Sequence, residues 1–213
     1  MAIVEIYGLA PSNFTRAVRM VCEEKSIPYE FKEVAPHSPD VTALHPFGRI
    51  PAMRHGDVEL CESKAIATYL DAVFPGPRLI PTDPEALALQ EQWVSLVNSR
   101  FDPLMVRTYV FAYIFPKGEG GVPDRAAIEE CLPSLRDQIG ILDRRLGQSA
   151  YLAGDEFTYA DINLMAILFA VQLFPEGAAA MAETSNLAAY YERNAARPSF
   201  RNTMPGPARR AAE

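Results

Sequence analysis

Cysteine is scarce: three stand in 213 residues, Cys22, Cys61 and Cys131. Scattered and odd in number, they are poor material for a disulfide framework and suit a reducing compartment. None forms Cys-x-x-Cys, so neither a dithiol redox motif nor a thiolate zinc site is written locally. Histidine is equally rare. His37, His45 and His55 form no His-x-x-x-His pair, and no metal is expected. Positive charge is in deficit, with 20 Lys and Arg against 27 Asp and Glu and a net charge of -7. That balance argues against nucleic acid or an anionic membrane as the main partner. No apolar run approaches the ~20 residues that span a bilayer. Met1-Ala2-Ile3-Val4-Glu5 lacks the basic start and long apolar stretch of a secretory signal. The expectation is a cytoplasmic protein. Its 49% hydrophobic content provides core for one large domain or two small ones.

What is present begins with a strand–loop–helix. Ala2 to Tyr7 is rich in β-formers, Gly8 to Arg16 is a turn, and Phe14, Val18, Val21 and Cys22 recur at helical spacing. Ser12 falls where the helix should start. There it serves as a cap, or it turns its hydroxyl outward at a helix tip that attracts a thiolate or carboxylate. Ile27-Pro28 breaks the pattern, and Tyr29 to Val34 reads as a second strand, parallel to the first through a right-handed crossover. Pro36, Pro39 and Pro46 mark a loop with a short helix near Val41 to Leu44. Pro51 to Arg54 and Val58 to Cys61 flank a Gly56-Asp57 turn as a hairpin. Ser63 to Phe74 is an amphipathic helix with Ser63 as its cap.

Residues 1–74 therefore read β-α-β-α-β-β-α, an α/β domain. Residues 75–84 hold four prolines and read as a linker. From 85 to 213 the strand signal disappears and an all-helical domain is expected. Glu85 to Phe115 should kink or split at Pro103, and Asp124 to Leu146 should kink or break at Pro133. Tyr159 to Phe174 is apolar all round, as a buried central helix would be. Thr158-Tyr159-Ala160-Asp161 opens it as a capping box, which makes Asp161 a folding residue. Leu187 to Ala196 is a last amphipathic helix, and the end from Met204 is expected to fray.

Four segments then line up in one order. They are Tyr7 to Arg16 with Glu24-Lys25-Ser26-Ile27-Pro28-Tyr29-Glu30 following, His45-Pro46-Phe47-Gly48-Arg49-Ile50-Pro51-Ala52, Glu62-Ser63-Lys64-Ala65-Ile66, and Thr158 to Asp161. Together they resemble the cytosolic glutathione transferases over nearly the whole chain, and in particular the serine-type, theta- or phi-like bacterial members. The second segment resembles the Asn-Pro-Phe-Gly-x-Ile-Pro motif, with His45 where Asn is usual. The third resembles Glu-Ser-x-Ala-Ile.

The resemblance implies a thioredoxin-like N-terminal domain, an all-α C-terminal domain and a homodimer. It implies glutathione as co-substrate and a small hydrophobic electrophile as second substrate. Ser12 would donate to the glutathione sulfur, with Asn13 and Thr15 as competing donors and Tyr7 as a wall residue. A cis Ile50-Pro51 junction would present the Ile50 backbone to the cysteinyl unit. Ser63 and Glu62 would hold the γ-glutamyl end, and Arg49 and His37 lie near the glycyl end. Phe101, Met105, Tyr109 and Tyr113 recur at roughly helical spacing and would line the electrophile pocket, or serve as ordinary core. Phe47 would insert into a partner subunit or pack on its own sheet. The expected activity is conjugation of the glutathione thiolate. A glutathione-dependent peroxidase or thiol reductase, and a non-catalytic binding protein, are the alternatives.

Overall fold

The computed structural model describes residues 2–206. Within them the chain forms two compact units. One runs up to Leu79 and is joined by the chain from Ala196 onward; the other is Ile80 to Ala195. The first unit is built on a four-stranded mixed sheet in the order β2-β1-β3-β4. β1 is Val4–Gly8, β2 Tyr29–Glu33, β3 Ala52–His55 and β4 Val58–Cys61. β1 and β2 are parallel, linked through α1, Asn13–Glu24. β1–β3 and β3–β4 are antiparallel. This is the mixed α/β sheet that the strand pattern and the crossover predict, in the thioredoxin-like arrangement that the family resemblance implies.

Alternation along β1 separates the sheet faces. Tyr7 and Ala52 pack with Val41 of α2, Pro39–Leu44. Ile6 and Met53 point the other way and are fully buried. α3, Ser63–Val73, packs against α1. Ser63 is the first residue of α3 and not its cap. That position belongs to Glu62, whose φ of 68° lets the chain turn sharply off β4.

The first unit is closed by a return of the chain that periodicity does not announce. α10, Pro198–Asn202, lies on α1. Arg16 is buried, stacks 4.1 Å from the Phe200 ring centroid and donates to the Phe200 carbonyl at 2.9 Å. Arg197 clamps Glu24 with two hydrogen bonds of 2.8 and 2.7 Å, and Ser199 donates to the same carboxylate. Burial works against the Glu24 charge, but these donors outweigh it and hold the carboxyl below its ordinary range. Lys25 and Asp71 form a second buried pair at 2.9 Å, and the Leu79 amide also donates to Asp71.

The second unit is helical. α4, Pro84–Leu96, starts on Pro84 with Asp83 as cap, because a proline at the first helical position surrenders no needed N–H. It continues as a wide-wound stretch, Val97–Val110, before the short α5, Phe111–Ile114. The expected disturbance at Pro103 is thus a widening of the turn, in which Thr108 Oγ1 donates to the Pro103 carbonyl. α6, Arg125–Leu146, runs through Pro133 without a break, so of the two expected outcomes the break does not occur. Pro133 and Glu129 are both exposed, so the carbonyl that loses its partner faces water. α7 is Tyr159–Gln172 and buried nearly all round. Two further helices follow: α8, Pro175–Ala182, which the sequence reading missed, and α9, Ser185–Ala195. Much of the expected fraying from Met204 falls on residues 207–213, outside the described residues.

Asp161 behaves as a folding residue. It is fully buried and accepts from the amides of Leu152 and Thr158 and the hydroxyls of Thr158 and Tyr190, at 2.9–3.1 Å. Asp161→Ala leaves these donors buried without an acceptor, and is expected to cost about 3 kcal/mol or more in urea unfolding. The Glu24 clamp makes a different prediction. A lowered folded value means its contribution is complete above about pH 4.5 and is lost as pH falls through that folded value. Glu24→Gln should therefore flatten the acid limb of the stability–pH curve. Superimposable acid limbs would show that the clamp contributes nothing.

Candidate functional site

Register places the chemistry. Tyr7 pairs with Ala52 and Ala52 with Cys61, so three strand ends meet at one end of the sheet. β2 runs parallel to β1, with Gly8 opposite Glu33, and ends there too. Four segments consequently converge: Gly8 to Ser12, Val34 to His37, Arg49 to Pro51, and Glu62-Ser63. Both α1 and α3 begin at this end. Their first-turn N–H groups lie outside the helical ladders and give the site a positive polarity that suits an anion.

Ser12 caps α1, and its Oγ accepts from the Thr15 amide at 3.3 Å. No described residue takes its O–H, so a half-buried hydroxyl at the helix tip still has a proton to donate. Capping and outward donation are therefore compatible. Thr15 is buried, and its hydroxyl has no partner among the described residues. It packs over Gly8, where an added Cβ would meet Oγ1 at 2.4 Å. Asn13 is buried as well. Tyr7 is buried with its hydroxyl donating to Glu5 at 3.0 Å. Burial first, and Glu5 second, raise its pKa above the ordinary phenol value. Of the four polar side chains considered, Ser12 alone is both accessible and uncommitted as a donor.

Ile50 and Pro51 are joined by a cis bond just before β3. No described backbone group pairs with the Ile50 amide or carbonyl. His37, at φ 62°, donates its amide to the Gly48 carbonyl at 2.8 Å, beside exposed Arg49. Gly48 has φ 61°, and a Cβ there would lie 2.5 Å from His37 Nδ1, so this turn requires glycine. Glu62 projects from a strained backbone with its side chain 74% exposed. Ser63 beside it is buried at the α3 terminus.

Burial pushes the pKa of Cys22 up to about 12 and also raises that of Cys131. Among the described residues no group of three His, Cys, Asp or Glu is arranged to hold a metal, and no helix is long and apolar enough to cross a membrane.

The four helical candidates separate. Phe101, Met105 and Tyr109 are buried in the second unit, while Tyr113 is half-buried and stacked on Phe174 with ring centroids 4.2 Å apart. Both tyrosine hydroxyls donate to Glu176, at 3.1 and 2.5 Å. Arg125 adds a 2.7 Å bond to that carboxylate and a 2.9 Å bond to Tyr113. Burial opposes the Glu176 charge, but the Tyr113 and Arg125 bonds prevail and hold its carboxyl down at about 2. The sequence reading missed Glu176. The Phe174-Pro175-Glu176 helix start, with a proline at the first position, was the available signal.

Comparison with known proteins identifies the two domains. The glutathione S-transferase N-terminal domain family matches residues 6–78, and the C-terminal domain family matches residues 86–198. Glutathione S-transferase 3 of Zea mays is 33% identical over 211 residues, 96% of this chain and 94% of that protein. The theta-class enzyme of Xanthomonas axonopodis pv. citri, solved with glutathione bound, superimposes with a TM-score of 0.82 at 28% identity. The match covers 97% of this chain and 99% of that one. Glutathione S-transferase I from mais, in complex with an atrazine–glutathione conjugate, gives 0.83 at 25% identity, with 95% and 96% covered.

The backbone at Glu62 generates a test. With φ at 68° and ψ at 113°, a Cβ-bearing residue is strained and glycine is not. Glu62→Gly should therefore be more stable than Glu62→Ala by about 1 kcal/mol in urea unfolding, even after glycine's larger unfolded-state entropy. Equal stability, or a more stable alanine variant, would remove the strain from the account.

Proposed function

The chain belongs to the glutathione S-transferase family, and on that premise we propose that it joins the glutathione thiolate to small hydrophobic electrophiles in the cytoplasm, with Ser12 as the thiolate-stabilising donor. The observation that carries this reading is the Ser12 hydroxyl. It is satisfied as an acceptor by Thr15 and free as a donor, at a helix N-terminus where the other glutathione-contact candidates converge.

The magnitudes suffice. A free thiol has a pKa of about 8.5, and lowering it by about two units requires roughly 2.7 kcal/mol. A hydrogen bond to a charged group supplies about 1.5–3 kcal/mol. The helix terminus adds about 0.3–1 kcal/mol, more when partly buried. No general base is required, and Ser12 is not a nucleophile. The Ile50 backbone groups would pair with the cysteinyl unit as an added strand. Ser63 and the α3 terminus would take the γ-glutamyl carboxylate, Glu62 the γ-glutamyl ammonium, and Arg49 and His37 the glycyl carboxylate.

We assign direct contact with the electrophile to Tyr113, with Tyr109 edge-on against it and Phe101 and Met105 as buried core. A related enzyme holding an atrazine–glutathione conjugate supports an apolar second substrate. The serine-type, theta- or phi-like subclass is supported by Ser12 itself, by the plant relatives and by the theta-class bacterial structure. A homodimer is supported by Phe47, whose ring is 73% exposed on its loop and packs on no sheet of its own.

Ser12→Ala is expected to bind glutathione while conjugation falls about 10- to 100-fold, the loss of one charge-assisted hydrogen bond. The ultraviolet thiolate band of bound glutathione, followed against pH, should shift to higher pH in the variant. Wild-type turnover and an unshifted band would transfer the role away from Ser12.

A further inference from the structure

We propose that His45 is a positioning residue for glutathione, acting by orienting the Glu62 carboxylate that receives the γ-glutamyl ammonium. This rests on the assignment of Glu62 made above.

Three observations meet in one ring. His45 is buried, only 3% exposed, at the end of α2. Its Nδ1 accepts the Phe47 amide at 3.1 Å. Its Nε2 lies 3.6 Å from Glu62 Oε1. Because Nδ1 accepts, the neutral ring carries its proton on Nε2 and turns the positive end of its dipole toward the carboxylate. That distance exceeds a hydrogen bond but lies within reach of an electrostatic hold. The carboxylate has no other partner among the described residues. Without the ring, an exposed glutamate would sample several rotamers, and binding would have to order it. Fixed backbone at Glu62 and a fixed ring beneath it preset the acceptor before glutathione arrives.

The resembled family motif carries Asn where His45 stands. An asparagine oxygen reproduces the Nδ1 acceptor for Phe47 but is too short to reach Glu62. The ring thus performs the loop's local duty and adds a second contact through its far nitrogen.

Isosteric variants separate the two nitrogens. His45→Asn keeps an acceptor at the Nδ1 position, and His45→Gln keeps a donor at the Nε2 position. We would measure glutathione binding by calorimetry, and kcat and KM with an activated chloronitrobenzene. Urea unfolding verifies that each variant is folded.

For His45→Asn the Kd and KM for glutathione should rise about three- to tenfold, while kcat and the KM for the electrophile stay unchanged. His45→Gln should stay within about twofold of wild type. In a Glu62→Gln background the effect of His45→Asn should largely vanish. Folded His45→Asn with wild-type affinity would overturn the proposal. So would equal weakening by both variants, or an undiminished effect in the Glu62→Gln background. If wild-type protein itself fails to bind glutathione, the functional reading beneath the proposal falls with it.

Discussion

The seat of α1 on β1 is the constraint from which the active end follows. Gly8 has no side chain, and Thr15 occupies the space where one would be, with its hydroxyl 2.4 Å from an added Cβ. That close approach fixes how the first turn of α1 meets the end of β1. Ser12, three residues earlier than Thr15 and hydrogen-bonded to its amide, is placed by the same contact. Sheet register then brings Pro51 and Glu62 to the same end without any interaction specific to them. The Thr15 hydroxyl that fills this space has no partner among the described residues.

Charge is disposed so that the site keeps a positive polarity within an acidic chain. The net charge of -7 would by itself repel glutathione, which is anionic. Two helix N-termini at the sheet end counter that locally, beside the exposed cation Arg49. Other cations are spent elsewhere. Arg16 and Arg197 hold the returning chain against α1, and Lys25 is buried on Asp71. These interactions stiffen the helix whose tip carries Ser12, so a fixed scaffold supports the donor.

The sheet, its hairpin and the buried helix were legible because period and turn chemistry agree there. Val58 to Cys61 after Gly56-Asp57 is strand by every local rule, and Tyr159 to Gln172 is apolar on all sides. What escaped depends on tertiary context. Pro133 stays inside α6 because its orphaned carbonyl is exposed, and no window of sequence records that exposure. α10 is only five residues long, and its place on α1 rests on Arg16, 184 positions from Phe200. Among the site residues, helix starts exposed Ser12 and Ser63. The commitments of Tyr7 to Glu5 and of Tyr113 to Glu176 did not show, since each partner was chosen by the fold.

Ser12 and Glu62 also show why a capping signal and a functional signal could not be told apart in sequence. A hydroxyl accepts and donates at once. Accepting from the Thr15 amide leaves the Ser12 O–H uncommitted among the described residues, so one hydroxyl can serve both as the cap and as the proposed donor. Glu62 reaches the same end by the opposite route. It caps α3 without a side-chain bond, in a backbone conformation suited to glycine, and its carboxylate is left to the solvent side. A residue chosen for stability alone would be glycine there. In the proposed assignment Ser12 thus obeys the local rule and would gain its function from what the rule leaves unused, while Glu62 violates it, and violations of this kind concentrate where a ligand supplies the compensation.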